Sequence, residues 1–186
     1  MIAWDRLGKR HEAFATIAEL LGEGCRIVET GTVRDLGNWE GDGQSTIVWD
    51  QLATDLGGTV TTIDINPLGA ELVAELGLQA TTAIVGDSLD VIPTLSGHCD
   101  FLYLDSFDVD FENPQPAAAH HLSELMAALN LLAPGSIVAV DDNEDDQGKG
   151  SEVAWFLAEH GATKSSAAMS ASGESNGHHQ RLLHPR

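Results

Sequence analysis

The chain has 186 residues, of which 29 are acidic and 9 are basic, and its formal net charge of −20 excludes an extended basic surface for a phosphate backbone. No stretch is long and apolar enough to span a membrane, and the charged residues Asp5 and Arg6 do not fit a signal peptide. We therefore expect a cytoplasmic protein with no nucleic-acid or membrane partner. The sequence leaves the oligomeric state, including a homo-oligomer, open.

Predicted strands and helices alternate along the chain. An N-terminal helical segment fills residues 1–24, where Phe14, Ile17 and Leu21 repeat at helical spacing. Short apolar runs that end at glycine or acidic residues predict strands at 25–32, 59–64, 79–85, 101–104 and 135–140. Helical patterns follow the first four strands, beginning near residues 44, 67, 89 and 116, and another covers residues 149–160.

This alternation predicts an α/β fold with a three-layer, Rossmann-like, mostly parallel sheet and helices on both faces. Residues 33–43 are polar and rich in glycine, which indicates an inserted loop after the first strand. Residues 162–186 are weaker candidates for a C-terminal strand pair, which brings the sheet to about seven strands. Residues 1–186 are therefore predicted to form one Rossmann-like domain.

Acidic residues stand at the ends of five successive strands. They are Glu29, Asp64, Asp87, Asp105 and the pair Asp141 and Asp142. A single acid in such a place usually caps a helix or faces water. Because ligands bind outside the carboxyl ends of the strands in an open α/β sheet, five in succession indicate a binding site along that rim.

The first two strand ends predict a nucleoside site. Gly31 allows a ligand to approach the backbone closely, and Asp64 can accept hydrogen bonds from both ribose hydroxyls. A complete GxGxxG pattern is absent, which argues against a dinucleotide with a pyrophosphate. We expect a ligand that carries ribose but no phosphates.

The last two strand ends predict a metal site. Asp105, Asp141 and Asp142 would converge from neighbouring strands, and carboxylate oxygens are the ligands that Mg²⁺ and Ca²⁺ prefer. The alternative is that Asp141 caps the next segment and that Asp142 faces water.

The order of these features resembles class I S-adenosylmethionine-dependent methyltransferases. Among them the chain most resembles metal-dependent O-methyltransferases of the catechol and macrocin type, to which cephalosporin hydroxylases are related. The resemblance covers roughly residues 25–160 and includes Asp64. It also lies in the segments IVETGT (27–32), GDSLDVIPTL (86–95), FLYLD (101–105) and LLAPGSIVAVDDN (131–143).

The resemblance implies both a cofactor and a cation. S-adenosylmethionine would contact Glu29, Gly31, Thr32, Gly43, Ser45, Asp64, Ile65, Asp87 and Ser88, with Asp64 at the ribose and Ile65 beside the adenine. Mg²⁺ or another divalent cation would lie on Asp105, Asp141 and Asp142. The implied reaction is methyl transfer to a hydroxyl group of a small molecule or sugar.

The general base is less well defined. Ser106, Phe107 and Asp108 follow the fourth strand without the lysine that acts as base in the catechol enzymes. His120 and His121 begin the next helix, and histidine suits proton transfer near neutral pH, although a surface or core role is the more usual one. The predicted catalytic residues are therefore His120, His121 and Asp105.

Two other functions fit parts of the sequence. Asp108, Val109 and Asp110 have the DxD spacing of a metal-dependent glycosyltransferase, although no basic residue near them would meet a phosphate. A protein that binds S-adenosylmethionine without catalysis is the second alternative.

Overall fold

The computed structural model of the protein describes residues 4–39, 44–144, 147–165 and 179–184. In these ranges eight strands form one sheet with helices on both faces, which confirms the predicted α/β, Rossmann-like fold. No helix in the same ranges has the length and apolar character needed to cross a bilayer.

The sheet is parallel through its centre. Its main order is β3-β2-β1-β4-β5-β8-β7, and β6 pairs with β5 outside this path. The pairs among the first five strands are parallel, and the pairs that involve β6, β7 or β8 are antiparallel. The strands are β1 (Arg26–Thr30), β2 (Thr59–Asp64), β3 (Thr81–Val85), β4 (Cys99–Leu104), β5 (Leu132–Glu144), β6 (Gln147–Gly148), β7 (Thr163–Ser165) and β8 (His179–His184).

The helix Pro67–Leu76 begins at a cap that the sequence supplies. Asn66 accepts a hydrogen bond from the Leu68 backbone N–H, and Pro67 occupies the first helical position after it. Two short 3-10 turns, Trp4–Arg6 and Gly8–Arg10, precede the first helix. The helices are α1 (His11–Leu20), α2 (Ser45–Leu56), α3 (Pro67–Leu76), α4 (Ser88–Val91), α5 (Gln115–Ala128) and α6 (Ser151–Glu159).

Each face of the sheet has its own apolar core. On the first face, α1 and α2 bring Phe14 and Trp49 against Phe101 and Tyr103 of β4, and the rings of Phe14 and Trp49 lie 4.3 Å apart. On the second face, α5 and α6 pack their aliphatic side chains on Leu102 and its neighbours in the sheet. Because both faces are covered, the central strands are apolar without a polar alternation.

Strand β5 is longer than the sequence indicates. It was predicted to end at Val140, but it extends through Glu144 because β6 and β8 pair with its last residues. Its pairing with β8 shifts register between Val140 and Asn143, and Asp142 has φ of 49°. Asp141 and Asp142 therefore lie in a distorted part of the strand, whereas the sequence suggests a loop.

Candidate functional site

The order of the strands places a crevice between β1 and β4. The chain runs from β1 outward to β2 and β3 and then returns to β4 on the other side of β1. This reversal is the position at which open α/β sheets bind ligands, outside the carboxyl ends of the strands. Gly31 follows β1 and Asp105 follows β4, so both predicted residues lie at the crevice.

Gly31 is required by the close approach of the two strand ends. Its φ of +82° lies in the left-handed region, and a Cβ at this position would lie 2.5 Å from the Asp105 carbonyl oxygen. The Asp105 backbone N–H also donates to the Thr30 carbonyl at 3.0 Å. A side chain at residue 31 would therefore push apart the ends of β1 and β4.

A cavity of about 390 Å³ opens beside this turn. Its wall contains carboxylate and hydroxyl groups next to large apolar side chains, which is the usual composition of a small-molecule site. The lining residues are Ile63, Asp64, Ile65, Gly86, Asp87, Ser88, Leu89, Ser106, Phe107 and His120. Four residues predicted to bind the cofactor, Asp64, Ile65, Asp87 and Ser88, are thus brought together around one space.

Asp64 is held firmly at the cavity wall. Its Oδ2 accepts from the Thr32 backbone N–H at 3.0 Å, and its Oδ1 accepts from the Asn66 backbone N–H at 2.8 Å. A carboxylate has about four lone-pair sites, so both oxygens can accept further hydrogen bonds. Asp87 has a second task as the cap of α4, because its Oδ1 accepts from the Leu89 backbone N–H at 2.9 Å.

Glu29 is a fully buried acid beneath the turn. Thr46 donates a hydrogen bond to its Oε2 at 2.8 Å, whereas its Oε1 has no hydrogen-bond partner among the described residues. Burial raises the pKa of Glu29 to about 7, against the effect of neighbouring hydroxyl groups. A buried acceptor without a donor is costly, and a cationic or N–H donor from a ligand would satisfy it.

The remaining predicted cofactor residues differ in their surroundings. Ser45 is buried at the start of α2, and Thr32 is buried with its hydroxyl 2.8 Å from the Thr62 hydroxyl. The Thr32 side chain therefore stabilises the Gly31 turn through its hydrogen bond with Thr62 of β2. Gly43 lies outside the described residues.

Asp105 and Asp142 do converge, and a lysine lies between them. The Lys149 ammonium donates to Asp105 Oδ1 at 2.6 Å and lies 2.7 Å from Asp142 Oδ2. The Lys149 side chain is 1% exposed, and the two carboxylate side chains are 17% and 23% exposed. Burial alone would lower the pKa of Lys149, but Asp105, Asp142 and Asp141 outweigh it and raise the pKa well above its ordinary value.

Asp141 belongs to a separate, buried group. Tyr103 donates its hydroxyl hydrogen bond to Asp141 Oδ2 at 2.7 Å, and Arg10 Nη1 lies 3.6 Å from the same oxygen. Arg10 also donates to the Trp39 carbonyl at 3.0 Å. The third predicted metal residue thus ties the N-terminal segment to the sheet.

This arrangement does not fit the predicted magnesium site. The described residues contain no group of three or more acidic, histidine or cysteine side chains arranged to hold a metal ion. The position between Asp105 and Asp142 is taken by an ammonium group, and Asp141 is directed to Arg10 and Tyr103. A divalent cation there would have to compete with a buried positive charge.

The two predicted histidines lie in different environments. His120 lines the cavity, with its Nε2 3.1 Å from Ser106 Oγ and 3.4 Å from Glu124 Oε1. The hydrogen bond to Glu124 raises the pKa of His120. His121 is fully buried, donates from Nδ1 to the Ala117 carbonyl at 2.7 Å, and has its pKa lowered to about 4 by burial.

The DxD segment has ordinary structural contacts. Arg34 forms an exposed ion pair with Asp108 at 3.2 Å, and Asp110 accepts from the Glu112 backbone N–H at 2.9 Å. These contacts account for both carboxylates in a surface turn.

Several residues of the site were missed from the sequence. Ser106 and Phe107 line the cavity directly after β4, and Glu124 accepts hydrogen bonds from Ser106 at 2.6 Å and Thr30 at 3.2 Å. Lys149 carried a usable signal, since it is one of few basic residues and stands between Gly148 and Gly150 after an acidic run.

The fold and the position of this cavity are those of a Rossmann-like α/β protein, and comparison with known families identifies the family. The methyltransferase domain family matches residues 36–143, which is more than half of the chain. The chain therefore belongs to the methyltransferase domain family. A comparison with curated proteins gives no match.

Solved structures share the fold at low sequence identity. NSun6 from Pyrococcus horikoshii, solved with SFG, has a TM-score of 0.69 and 14% identity over 93% of this chain and 50% of that chain. An rRNA methylase from Streptococcus thermophilus has a TM-score of 0.61 and 13% identity over 94% of this chain and 95% of that one. The N-methyltransferase NodS from Bradyrhizobium japonicum has a TM-score of 0.65 and 13% identity over 96% of this chain and 97% of the NodS chain. This chain spans half the length of the NSun6 chain.

These likenesses leave the acceptor open. One of the neighbours is an rRNA methylase and another is an N-methyltransferase, so the fold supports neither the exclusion of nucleic acid nor O-methyl transfer in particular. The family does support S-adenosylmethionine as the cofactor, and the residues present fit it. Asp64 and apolar side chains line the cavity, and the buried Glu29 Oε1 has no hydrogen-bond partner among the described residues.

Proposed function

We propose that this protein is an S-adenosylmethionine-dependent methyltransferase that modifies a hydroxyl group of a small molecule or sugar. The observation that carries the proposal is the cavity beside the Gly31 turn, where Asp64 offers acceptor oxygens next to the apolar side chains of Ile65 and Phe107. A carboxylate with an apolar slot at the strand-order reversal suits an adenosine group.

Each part of the cofactor would meet a different group. Asp64 would accept hydrogen bonds from the ribose hydroxyls, Ile65 and Phe107 would flank the adenine ring, and Glu29 would accept from the ammonium of the methionine part. When bound, S-adenosylmethionine supplies an activated methyl group on a sulfonium. The protein would hold that end at the crevice between β1 and β4.

The acceptor would lie on the Asp105 side of the crevice. The side chains of Asp105 and Asp142 are partly exposed, so they can accept hydrogen bonds from a hydroxyl group. A net charge of −20 disfavours a polyanionic acceptor, which supports a small neutral molecule over RNA.

The geometry favours a new role for His120. It lies against Phe107, with ring centroids 5.1 Å apart, in the cavity that we assign to adenosine. We therefore place His120 in the cofactor pocket and Asp105 at the acceptor. The buried His121 would stabilise α5, the helix that carries His120.

Calorimetric titration with S-adenosylmethionine and with a UDP-sugar tests the class. We expect S-adenosylmethionine to bind at one site per chain and the UDP-sugar not to bind. Methyl transfer is then measured against a panel of sugars, catechols, amines and an rRNA fragment. Transfer to the rRNA fragment alone would overturn the acceptor assignment, and binding of the UDP-sugar alone would overturn the methyltransferase proposal. Cofactor binding without transfer to any acceptor would favour a non-catalytic binding protein.

A further inference from the structure

The cation between Asp105 and Asp142 is supplied by the chain itself. Lys149 Nζ lies 2.6 Å from one carboxylate and 2.7 Å from the other, so it bridges the ends of β4 and β5. The lysine is nearly inaccessible to solvent, whereas both carboxylates keep an exposed part. The ammonium therefore holds the pair from the buried side, and part of each carboxylate side chain remains exposed to solvent.

A specialised turn positions this lysine. The Lys149 backbone N–H donates to the Asp142 carbonyl at 3.3 Å, and the Gly150 backbone N–H donates to Asn143 Oδ1 at 2.6 Å. A Cβ at residue 148 would lie 2.3 Å from the Asp142 carbonyl oxygen, and one at residue 150 would lie 2.7 Å from Asn143 Oδ1. Both glycines are therefore needed for the turn to fold back onto β5 and direct Lys149 inward.

The carboxylates of this cluster are paired with cations of the chain itself. Lys149 and Arg10 bring two positive charges to the three carboxylates of Asp105, Asp141 and Asp142. A divalent cation at the same position would have to displace the ammonium or lie against it, and repulsion between like charges is strong where water is excluded. The place between Asp105 and Asp142 is thus occupied by a monovalent cation that is part of the chain.

We propose that the Lys149 ammonium takes the position of a divalent cation at this edge of the sheet, and that Asp105 and Asp142 hold a hydrogen-bond-donating acceptor without a metal. Lys149 is then a positioning residue, because it acts through the two carboxylates that would touch the acceptor. The inference rests on the proposed function only where it calls the bound molecule the methyl acceptor.

This arrangement selects a class of substrate. A chelating metal would favour acceptors with two adjacent anionic or readily ionised oxygens. Carboxylates kept in place by an ammonium instead favour a hydroxyl or amine group that donates a hydrogen bond, and they disfavour a phosphate. The acceptor is therefore expected to be neutral or cationic near its methylated atom.

Metal binding in the protein without substrate tests the inference directly. Mn²⁺ is titrated against the wild-type protein and Lys149→Ala by electron paramagnetic resonance, and thermal unfolding is followed with and without Mn²⁺. We expect no stoichiometric site in the wild type. We expect Lys149→Ala to bind Mn²⁺ roughly tenfold more tightly or better, because the freed carboxylates then face an open space, and to gain thermal stability from Mn²⁺. A lysine that only stabilises the fold would not produce a new metal site when removed.

Two variants serve as controls. Lys149→Arg keeps a cation between the carboxylates and should not bind Mn²⁺, and the double variant Lys149→Ala with Asp142→Ala should lose the gained site. A stoichiometric Mn²⁺ site in the wild type would overturn the inference, and this measurement decides even where Lys149→Ala does not fold. Equal Mn²⁺ affinity in wild type and folded Lys149→Ala would overturn it as well. Calorimetry with S-adenosylhomocysteine on the same samples tests the proposed function separately.

Discussion

The two halves of the rim use the same residue type in opposite ways. The open half consists of Gly31, Asp64 and Asp87 after β1, β2 and β3, and its carboxylates border a cavity of about 390 Å³. The closed half consists of Asp105, Asp141 and Asp142 at β4 and β5, where the carboxylates are paired with Lys149 or Arg10. The comparison shows that the role of an acidic residue at a strand end depends on which groups the tertiary structure places next to its carboxylate.

The reason lies in the hydrogen bonds available to each carboxylate. In the open half, backbone N–H groups orient Asp64 and Asp87 without neutralising them, so they can still accept from a ligand. In the closed half the buried location makes an unpaired charge costly, and the chain supplies the counter-charges. The predictions that follow test this contrast from the largest effect to the smallest.

Loss of the cation should destabilise the closed half most. Lys149→Met keeps the volume of the side chain but leaves Asp105 and Asp142 without their counter-charge, so the free energy of unfolding should fall by about 3 to 5 kcal/mol. Urea unfolding followed by tryptophan fluorescence measures this change. Adding Asp142→Asn to Lys149→Met should recover part of the loss, since the two residues are coupled. A change within about 0.5 kcal/mol would contradict the buried pair.

Glu29 should give the open half its pH dependence. Burial raises its pKa to about 7, so the native protein binds the proton more tightly than the unfolded chain does. This contribution to stability, at most roughly 3 kcal/mol, is full below about pH 4 and is lost as the pH rises through about 7.

The variant Glu29→Gln removes that titration and keeps the side-chain volume. Its free energy of unfolding should fall less between about pH 5 and pH 8 than that of the wild type, as urea unfolding at several pH values would reveal. Cofactor affinity should rise with pH in the wild type alone, because the ionised Glu29 accepts better from an ammonium. Parallel pH profiles for the two proteins would rule out a titrating Glu29.

Asp64 should affect binding more than stability. We expect Asp64→Ala to weaken S-adenosylmethionine binding by about 2 to 3 kcal/mol, because hydrogen bonds from the ribose hydroxyls to a charged acceptor are lost. Calorimetry measures the affinity. The matched control is Asp90→Ala, an exposed aspartate on α4 that does not line the cavity, and its affinity should equal that of the wild type. Equal losses in both variants would mean that bulk charge, not Asp64, attracts the ligand.

Phe107 should have the smallest of these effects. Phe107→Ala removes an aromatic wall of the cavity and should weaken cofactor binding by about 1 kcal/mol, the usual contribution of an aromatic pair. The neighbouring Phe111 does not line the cavity, so Phe111→Ala is the control. If the adenine lies elsewhere, the two variants will bind S-adenosylmethionine equally well in the same titration.

The sequence predicted the frame of the molecule well. The apolar runs that end at Glu29, Asp64 and Asp105 predicted parallel strands, because residues buried on both faces of a sheet need no polar alternation. The order of strands and helices then fixed the rim on which those acids lie, since right-handed crossovers leave few topologies. Four of the residues predicted to bind the cofactor, Asp64, Ile65, Asp87 and Ser88, line one cavity, and their role in binding stays a prediction.

The charge partners were decided by the tertiary structure alone. Lys149 reaches Asp105 across 44 residues of sequence, and Arg10 reaches Asp141 from the opposite end of the chain. The partners of these cations depend on a turn that folds back onto β5 and on an N-terminal segment that packs against the sheet, so a local signal such as the glycines beside Lys149 does not identify them. The sequence by itself determined where the carboxylates cluster. Only the tertiary structure determined that the cluster at β4 and β5 includes the Lys149 ammonium.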